Sequence, residues 1–174
     1  YTPLAKIFGN PSGDDLPVVA SKVQGYLDAH GLNSTQLLTE WNAWFPETPP
    51  MYDLERAAYT CSSLIRLQDS PIAIANYYRG DAHWDKGLFN RTGELRKPAY
   101  AFKAFKSLLE TPIRVNCTYS ASFGYAVLAG KSNDNNRVAI LISNYNETYN
   151  GYHLTVDNLP WSHQSFNYER YLLD

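Results

Sequence analysis

The order of segments in this chain predicts a parallel α/β unit followed by an antiparallel β unit, an α/β plus all-β architecture. Three observations carry that expectation. Between residues 17 and 111, helix-period stretches alternate with short apolar runs in the order helix, strand, helix, strand, helix. The two strand runs, ending near Glu40 and Asn76, are mostly apolar, as strands covered on both faces are. Past Pro112 apolar and polar residues alternate, which suits strands of a sandwich with one wet face. The boundary falls near residue 111, giving an α/β part at 1–111 and a partial β-sandwich at 112–174.

The first helix is expected over residues 17–30. Pro17 fits a first helical position, Asp14 or Asp15 can cap it, and Gly31 stops it. Val19, Val23, Tyr26, Leu27 and His30 fall on one stripe, with His30 placed at the negative pole of the helix. A strand then ends at Glu40. Trp44, Phe45 and an irregular loop at 46–50 lead to a second helix capped by Asp53. Its expected buried face is Leu54, Ala57, Ala58, Cys61, Leu64, Ile65 and Gln68. Residues 71–76 form a second strand, which opens into a long loop, 77–96, carrying Asp81, His83, Trp84 and Asp85. A third helix starts at Pro98, with Phe102, Phe105, Leu108 and Leu109 inward. Beyond the boundary, strands are expected at 125–129 and 138–142 around a hairpin loop at 132–136, then at 152–156 and 166–172.

Composition excludes several classes of function. Hydrophobic content of 44% and charged content of 18% describe a folded domain rather than a disordered chain. A net charge of −2 argues against nucleic acid or an anionic membrane as partner. No apolar stretch approaches the roughly 20 residues of a membrane span. Aromatic residues make up 14% of the chain, 14 of them Tyr and 4 Trp. Such side chains suit flat, weakly polar ligands such as sugar rings, although strands and cores absorb many of them. No metal cluster, Gly-rich phosphate loop or Ser/His/Asp arrangement stands out, and no cofactor is implied.

Four Asn-X-Ser/Thr triplets, at Asn33, Asn90, Asn116 and Asn146, point to a glycosylated protein that is secreted, either extracellular or lysosomal. In that setting Cys61 and Cys117 are open to three readings: an internal disulfide, a buried free thiol, or a bond outside this chain. Their spacing fits no metal site. The first residue is Tyr1, without a visible signal peptide, so the chain is expected to begin after processing or to belong to something longer.

The string Leu37-Leu38-Thr39-Glu40-Trp41-Asn42 holds the chemistry. An apolar strand that ends in a carboxylate between an aromatic and an amide is how parallel α/β barrels present a catalytic group at their C-terminal rim. Glu40 is either a nucleophile or a salt-bridged rim residue. Trp41 and Asn42 would orient it or line its pocket. Tyr77 and Trp84, on or after the second strand, are either a platform for the C–H face of a sugar or loop packing. Asp81 and His83 either hold hydroxyls or belong to a solvated loop. Two parallel strands with three helices cannot close a sheet, so an N-terminal chain of the same protein is expected to complete the fold.

These residues resemble a family. The string 38–42 is similar to the nucleophile strand of retaining glycosidases with (β/α)₈ barrels, specifically glycoside hydrolase family 39, which holds β-xylosidases and α-L-iduronidase. The segment 87–105, with Gly87-Leu88-Phe89 and Lys97-Pro98-Ala99-Tyr100-Ala101-Phe102, resembles that family's last barrel loop and eighth helix. The hairpin with 138–145 is similar to the start of its β-sandwich. Over residues 17–145 the resemblance implies barrel strands 7 and 8 with flanking helices. It implies Glu40 as nucleophile in the hydrolysis of a pentose-type or related glycoside, β-xylosidase-like. The acid/base would be a Glu on the fourth strand, upstream of Tyr1. Residues 76–81 depart from the family's aromatic stretch on strand 8. The string Glu40-Trp41-Asn42-Ala43-Trp44 also looks like family 51 α-L-arabinofuranosidases, where Asp typically precedes the nucleophile and the Lys-Pro-Ala-Tyr string is not expected. A barrel that binds carbohydrate without catalysis is the alternative from another class.

Overall fold

The computed structural model describes residues 15–42, 53–82, 86–118, 125–145, 151–162 and 165–173. Helix α1 spans Asp15–Ala29. It ends as its sequence requires: Gly31 takes φ +64°, a left-handed conformation that costs a residue without a Cβ little. The Leu32 N–H reaches back to the Leu27 carbonyl (2.9 Å) and the Gly31 N–H to Asp28 (3.1 Å), which closes the last turn as a Schellman motif. His30 stacks on Tyr26 and donates through Nδ1 to the Tyr26 carbonyl (2.9 Å), satisfying a helix-end acceptor. The helical period was legible, but its phase was not. Val19, Val23 and Tyr26 are exposed, and the inward side is Leu16, Ala20, Gln24 and Leu27. Gln36 at the next strand draws that side in by donating to the Ala20 carbonyl (3.1 Å) and to Gln24 Oε1 (2.9 Å).

Strand β1 (Gln36–Trp41) pairs in parallel with β2 (Ile72–Tyr77), as the apolar runs predict. Between them lies α2 (Asp53–Leu67), the central helix of the described fold. Ala57, Thr60, Ser62 and Ser63 are buried to within 1%. Small side chains let α3 (Lys97–Ser107) approach one flank of α2 and the second sheet approach another. Leu54 and Gln68, expected inside, are exposed. A face of Thr and Ser took their place because close approach rewards small volume over hydrophobicity. On α3, Phe102 and Phe105 face inward as expected, with Leu108 after them, but Leu109 in the following 3-10 turn (Leu108–Glu110) is 74% exposed.

The second sheet runs in the order β3 (Ile113–Val115), β4 (Tyr125–Lys131), β5 (Val138–Asn144), all antiparallel. The β4–β5 hairpin matches the sequence pattern, and Asn135 at φ +59° turns its loop. Strand β3 had no signal of its own, being three residues long. The sheet is locked onto α2 by polar bonds: Ser143 donates to the Ala58 carbonyl (2.7 Å), and Arg66 to the Tyr125 carbonyl (2.8 Å). The strands expected at 152–156 and 166–172 do not form in the described residues, where 151–162 and 165–173 carry no regular secondary structure. Their alternating apolar residues (Tyr152, Leu154, Val156, Phe166, Tyr168) are exposed; a strand needs a partner for its backbone, and none is supplied there.

Cys61 and Cys117 are not bridged to each other, and Cys61 is a buried thiol. It packs with Ile65, Ala101, Ala126 and Leu128, and burial pushes it from the ordinary 9.0 up to about 11. A proton held more tightly in the folded state stabilises that state fully below about pH 9 and loses this contribution as the pH rises toward 11. The unfolding midpoint should therefore be insensitive to this group at neutral pH and fall between those limits, with a shallower fall in Cys61→Ala. Maleimide labelling at about pH 8 should modify Cys117 first, because the thiolate fraction of Cys61 is reduced about 100-fold. Equal labelling rates in the folded protein would contradict the burial of Cys61.

Candidate active site

Glu40 stands at the penultimate position of β1, and the register of β1 on β2 explains its aim. Leu38 pairs with Ala75 and Trp41 with Tyr77, so three steps on β1 oppose two on β2. The extra residue is a β-bulge at Thr39–Glu40. In a regular strand Leu38 and Trp41 would point to opposite faces, since side chains alternate. The bulge lets both enter the same core cluster with Tyr59 and Leu67, and leaves Thr39 and Glu40 exposed. An irregularity of opposite sense, between Gln36 and Leu37, gives one residue back to β2. Among the described residues Glu40 makes no hydrogen bond or ion pair, and it is exposed.

Trp41 is only 4% exposed. Its ring meets Tyr77 edge-on at 5.1 Å and tilts against Phe102 at 6.4 Å, so it backs the strand rather than opening onto solvent. Tyr77 likewise packs edge-on against Phe102 at 5.1 Å. Both rings are occupied by core packing, and neither presents a face to a ligand in the described structure. Asn42 caps the strand end: its amide donates to the carbonyls of Tyr78 and of Lys86 (3.3 Å), tying β1 to the loop beyond β2. The Tyr78 N–H in turn donates to the Trp41 carbonyl (2.9 Å).

The aromatic that does face outward was missed. Tyr78 follows Tyr77, points to the opposite side by alternation, and is 42% exposed beside the end of β1. Its ring carries the Arg79 guanidinium at 5.6 Å. The signal was present in the doublet Tyr77-Tyr78, because only one of two consecutive strand residues can enter the core. Asp81 is paired with Arg79, which fixes it as part of an exposed ion pair. Trp84 and His83 lie outside the described residues, as do Trp44, Phe45, Asp14 and Asn146.

Of the acceptor asparagines, Asn33 and Asn116 are exposed. Asn90 is half-buried and organises a turn: its Oδ1 accepts from the Thr92 N–H (3.0 Å) and the Glu94 N–H (2.9 Å), while Nδ2 donates to the Glu94 carboxylate (2.6 Å). Among the described residues no group of three or more His, Cys, Asp or Glu is placed to hold a metal ion.

The solved structure of a glucosidase from Croceicoccus marinus is similar to this chain, with a TM-score of 0.67 and 29% identity. The match covers 77% of this chain, which spans only 30% of the length of that glucosidase. No family model and no curated protein matches. The fold is thus glycosidase-like: a small α/β arrangement with one parallel and one antiparallel sheet, shared with part of a glucosidase.

Proposed function

We propose that this chain is the C-terminal part of a retaining glycoside hydrolase and that Glu40 is its nucleophile. The observation that carries the reading is the register shift at Thr39–Glu40, which leaves a carboxylate exposed at the C-terminal end of a parallel strand in a glycosidase-like fold. In the first step the Glu40 carboxylate attacks the anomeric carbon while the bond to the aglycone oxygen breaks, and that oxygen takes a proton from a second carboxylic acid. In the second step water, deprotonated by the same acid/base group, cleaves the glycosyl ester and frees Glu40. The acid/base comes from an upstream segment of the enzyme, on a fourth barrel strand.

Exposed apolar residues on the sheet support a completing segment. Leu37 is 58% and Ile74 56% exposed on a parallel sheet of two strands, an arrangement that does not stand in water on its own. Strands of a (β/α)₈ barrel would cover that face, and β1 and β2 would then be its seventh and eighth strands. The exposed ring of Tyr78, rather than Tyr77, offers the sugar platform at this rim. The exposed acceptors Asn33 and Asn116 support a secreted glycoprotein.

The substrate is a glycoside of a pentose-type or related sugar: the strings shared with glycoside hydrolase family 39 favour β-xylosides, and the similar structure is named a glucosidase. The full-length protein assayed on aryl β-xylosides, β-glucosides, α-L-arabinosides and α-L-iduronides should cleave one class, with the anomeric configuration retained in the first-formed sugar by proton NMR. An inverted product would remove Glu40 as a covalent nucleophile, and binding without turnover on all four would favour a non-catalytic barrel.

A further inference from the structure

We infer that Asn42 is a positioning residue for the sugar platform: its carboxamide clamps Tyr78 to the end of the strand that carries Glu40, and does not itself touch the sugar. This rests on the proposed roles of Glu40 and Tyr78. The register of β1 on β2 ends at the pair Trp41–Tyr77. One step further the Tyr78 N–H still donates to the Trp41 carbonyl (2.9 Å). A parallel ladder would meet the Tyr78 carbonyl with the N–H of residue 43. Here a side chain meets it, Asn42 donating through Nδ2. Tyr78 is therefore held at both its polar backbone groups, once by the last residue of β1 and once by the side chain that follows it.

The same amide closes the neck of the loop beyond β2. Nδ2 also donates to the Lys86 carbonyl (3.3 Å), which accepts the Arg79 N–H as well (3.4 Å). Further along, the Phe89 N–H donates to the Asp81 carbonyl (3.3 Å). An amide nitrogen has two hydrogens, and both are spent on carbonyls. Oδ1 is buried, so the carboxamide keeps no polar atom for a sugar hydroxyl. The Tyr78 side chain cannot supply this support itself. Its ring is 42% exposed and meets the Arg79 guanidinium at 5.6 Å, while Tyr77 takes the place in the core. A ring in water keeps its direction only if its backbone is fixed, and Asn42 fixes it two residues after Glu40. Platform and nucleophile are thereby set from one strand end.

The test uses the full-length protein and reads kinetics beside amide hydrogen exchange in the peptide around Tyr78. Asn42→Ala should speed exchange at Tyr78 and Arg79 about tenfold. It should raise KM about five- to tenfold with kcat changed by less than about twofold, because a platform binds ground state and transition state alike. Asn42→Asp keeps the shape, but an ionised carboxylate cannot donate to either carbonyl. It should behave as Asn42→Ala does, and it decides the matter if Asn42→Ala fails to fold. Tyr78→Ala should raise KM by a similar factor, and the double variant Asn42→Ala with Tyr78→Ala should be no worse than Tyr78→Ala alone. Unchanged exchange in the Asn42 variants overturns the clamp whatever the activity. A fall in kcat at constant KM overturns the assignment to Tyr78, since it places Asn42 behind Glu40 instead. KM losses that multiply in the double variant overturn it too, since Asn42 then acts on the sugar independently. If the wild-type protein hydrolyses no glycoside, the proposed reaction fails, while the exchange measurement still decides the clamp.

Discussion

Glu40→Gln is expected to lower kcat of the full-length protein by about 1,000-fold or more, while leaving its folding intact. The amide matches the carboxylate in shape but carries no charge and is a poor nucleophile, so the glycosyl ester no longer forms. Folding should survive because Glu40 is exposed and has no hydrogen bond or ion pair among the described residues. That separation matters: a residue wired into the core would lose activity by unfolding, and the kinetic loss would say nothing about chemistry. A 2-fluoro glycoside with a good leaving group slows both steps, and the slower second step lets the ester accumulate. The label should be found on Glu40 by peptide mass mapping. Removing the carboxylate altogether, as Glu40→Ala, should open space for azide, which attacks from the same face and gives a glycosyl azide of inverted configuration. A label on another side chain, or full activity in Glu40→Gln, would end the proposal that Glu40 is the nucleophile.

How much of this was legible in the sequence depends on what each signal measures. Apolar runs mark strands, and β1 and β2 followed directly from them, although Leu37 and Ile74 stand exposed in the described fold rather than covered. The β4–β5 hairpin followed from alternation and an Asn-rich turn. What the sequence could not supply was phase and partner. On α1 a shift of about one residue in the inward stripe exposes Val19 and Val23, because Gln36, a polar residue in the next element, decides which side is drawn in. On α2 the buried Thr60, Ser62 and Ser63 carry no hydrophobic signal, since closeness of packing selected them. The alternating residues at 152–156 found no neighbouring strand in the described fold. At the site, Glu40 was visible as an abrupt end to an apolar run. The bulge that aims it was not, because pairing register is a property of two strands and neither sequence alone contains it. Of the two readings of Tyr77, the described structure shows packing against Trp41 and Phe102, and the Tyr77-Tyr78 doublet already implied that one of the pair faces outward.

Gly130→Ala is expected to be the most damaging small change in the second sheet, at a cost of about 2–4 kcal/mol. Gly130 lies in β4 between Arg114 of β3 and Ala139 of β5, so the strand is held on both sides. A Cβ there would sit 2.1 Å from the Thr111 carbonyl oxygen and 3.2 Å from the Thr111 Oγ1. The obstacle is backbone, and it cannot yield cheaply. Thr111 is 3% exposed and its N–H closes the preceding turn onto the Leu108 carbonyl (2.9 Å). Relief therefore requires either parting β4 from its neighbours or opening the turn that delivers the chain from α3 into β3. The melting temperature should fall by roughly 5–15 °C. Gly25 supplies the matched control. It lies inside α1 with nothing within 4 Å of an added Cβ, so Gly25→Ala should raise stability by about 0.5–1 kcal/mol through helix propensity. The same substitution thus has opposite signs at two positions, and the difference comes from what the new methyl group meets. Equal effects at both sites would show that Thr111 does not close on β4 in solution.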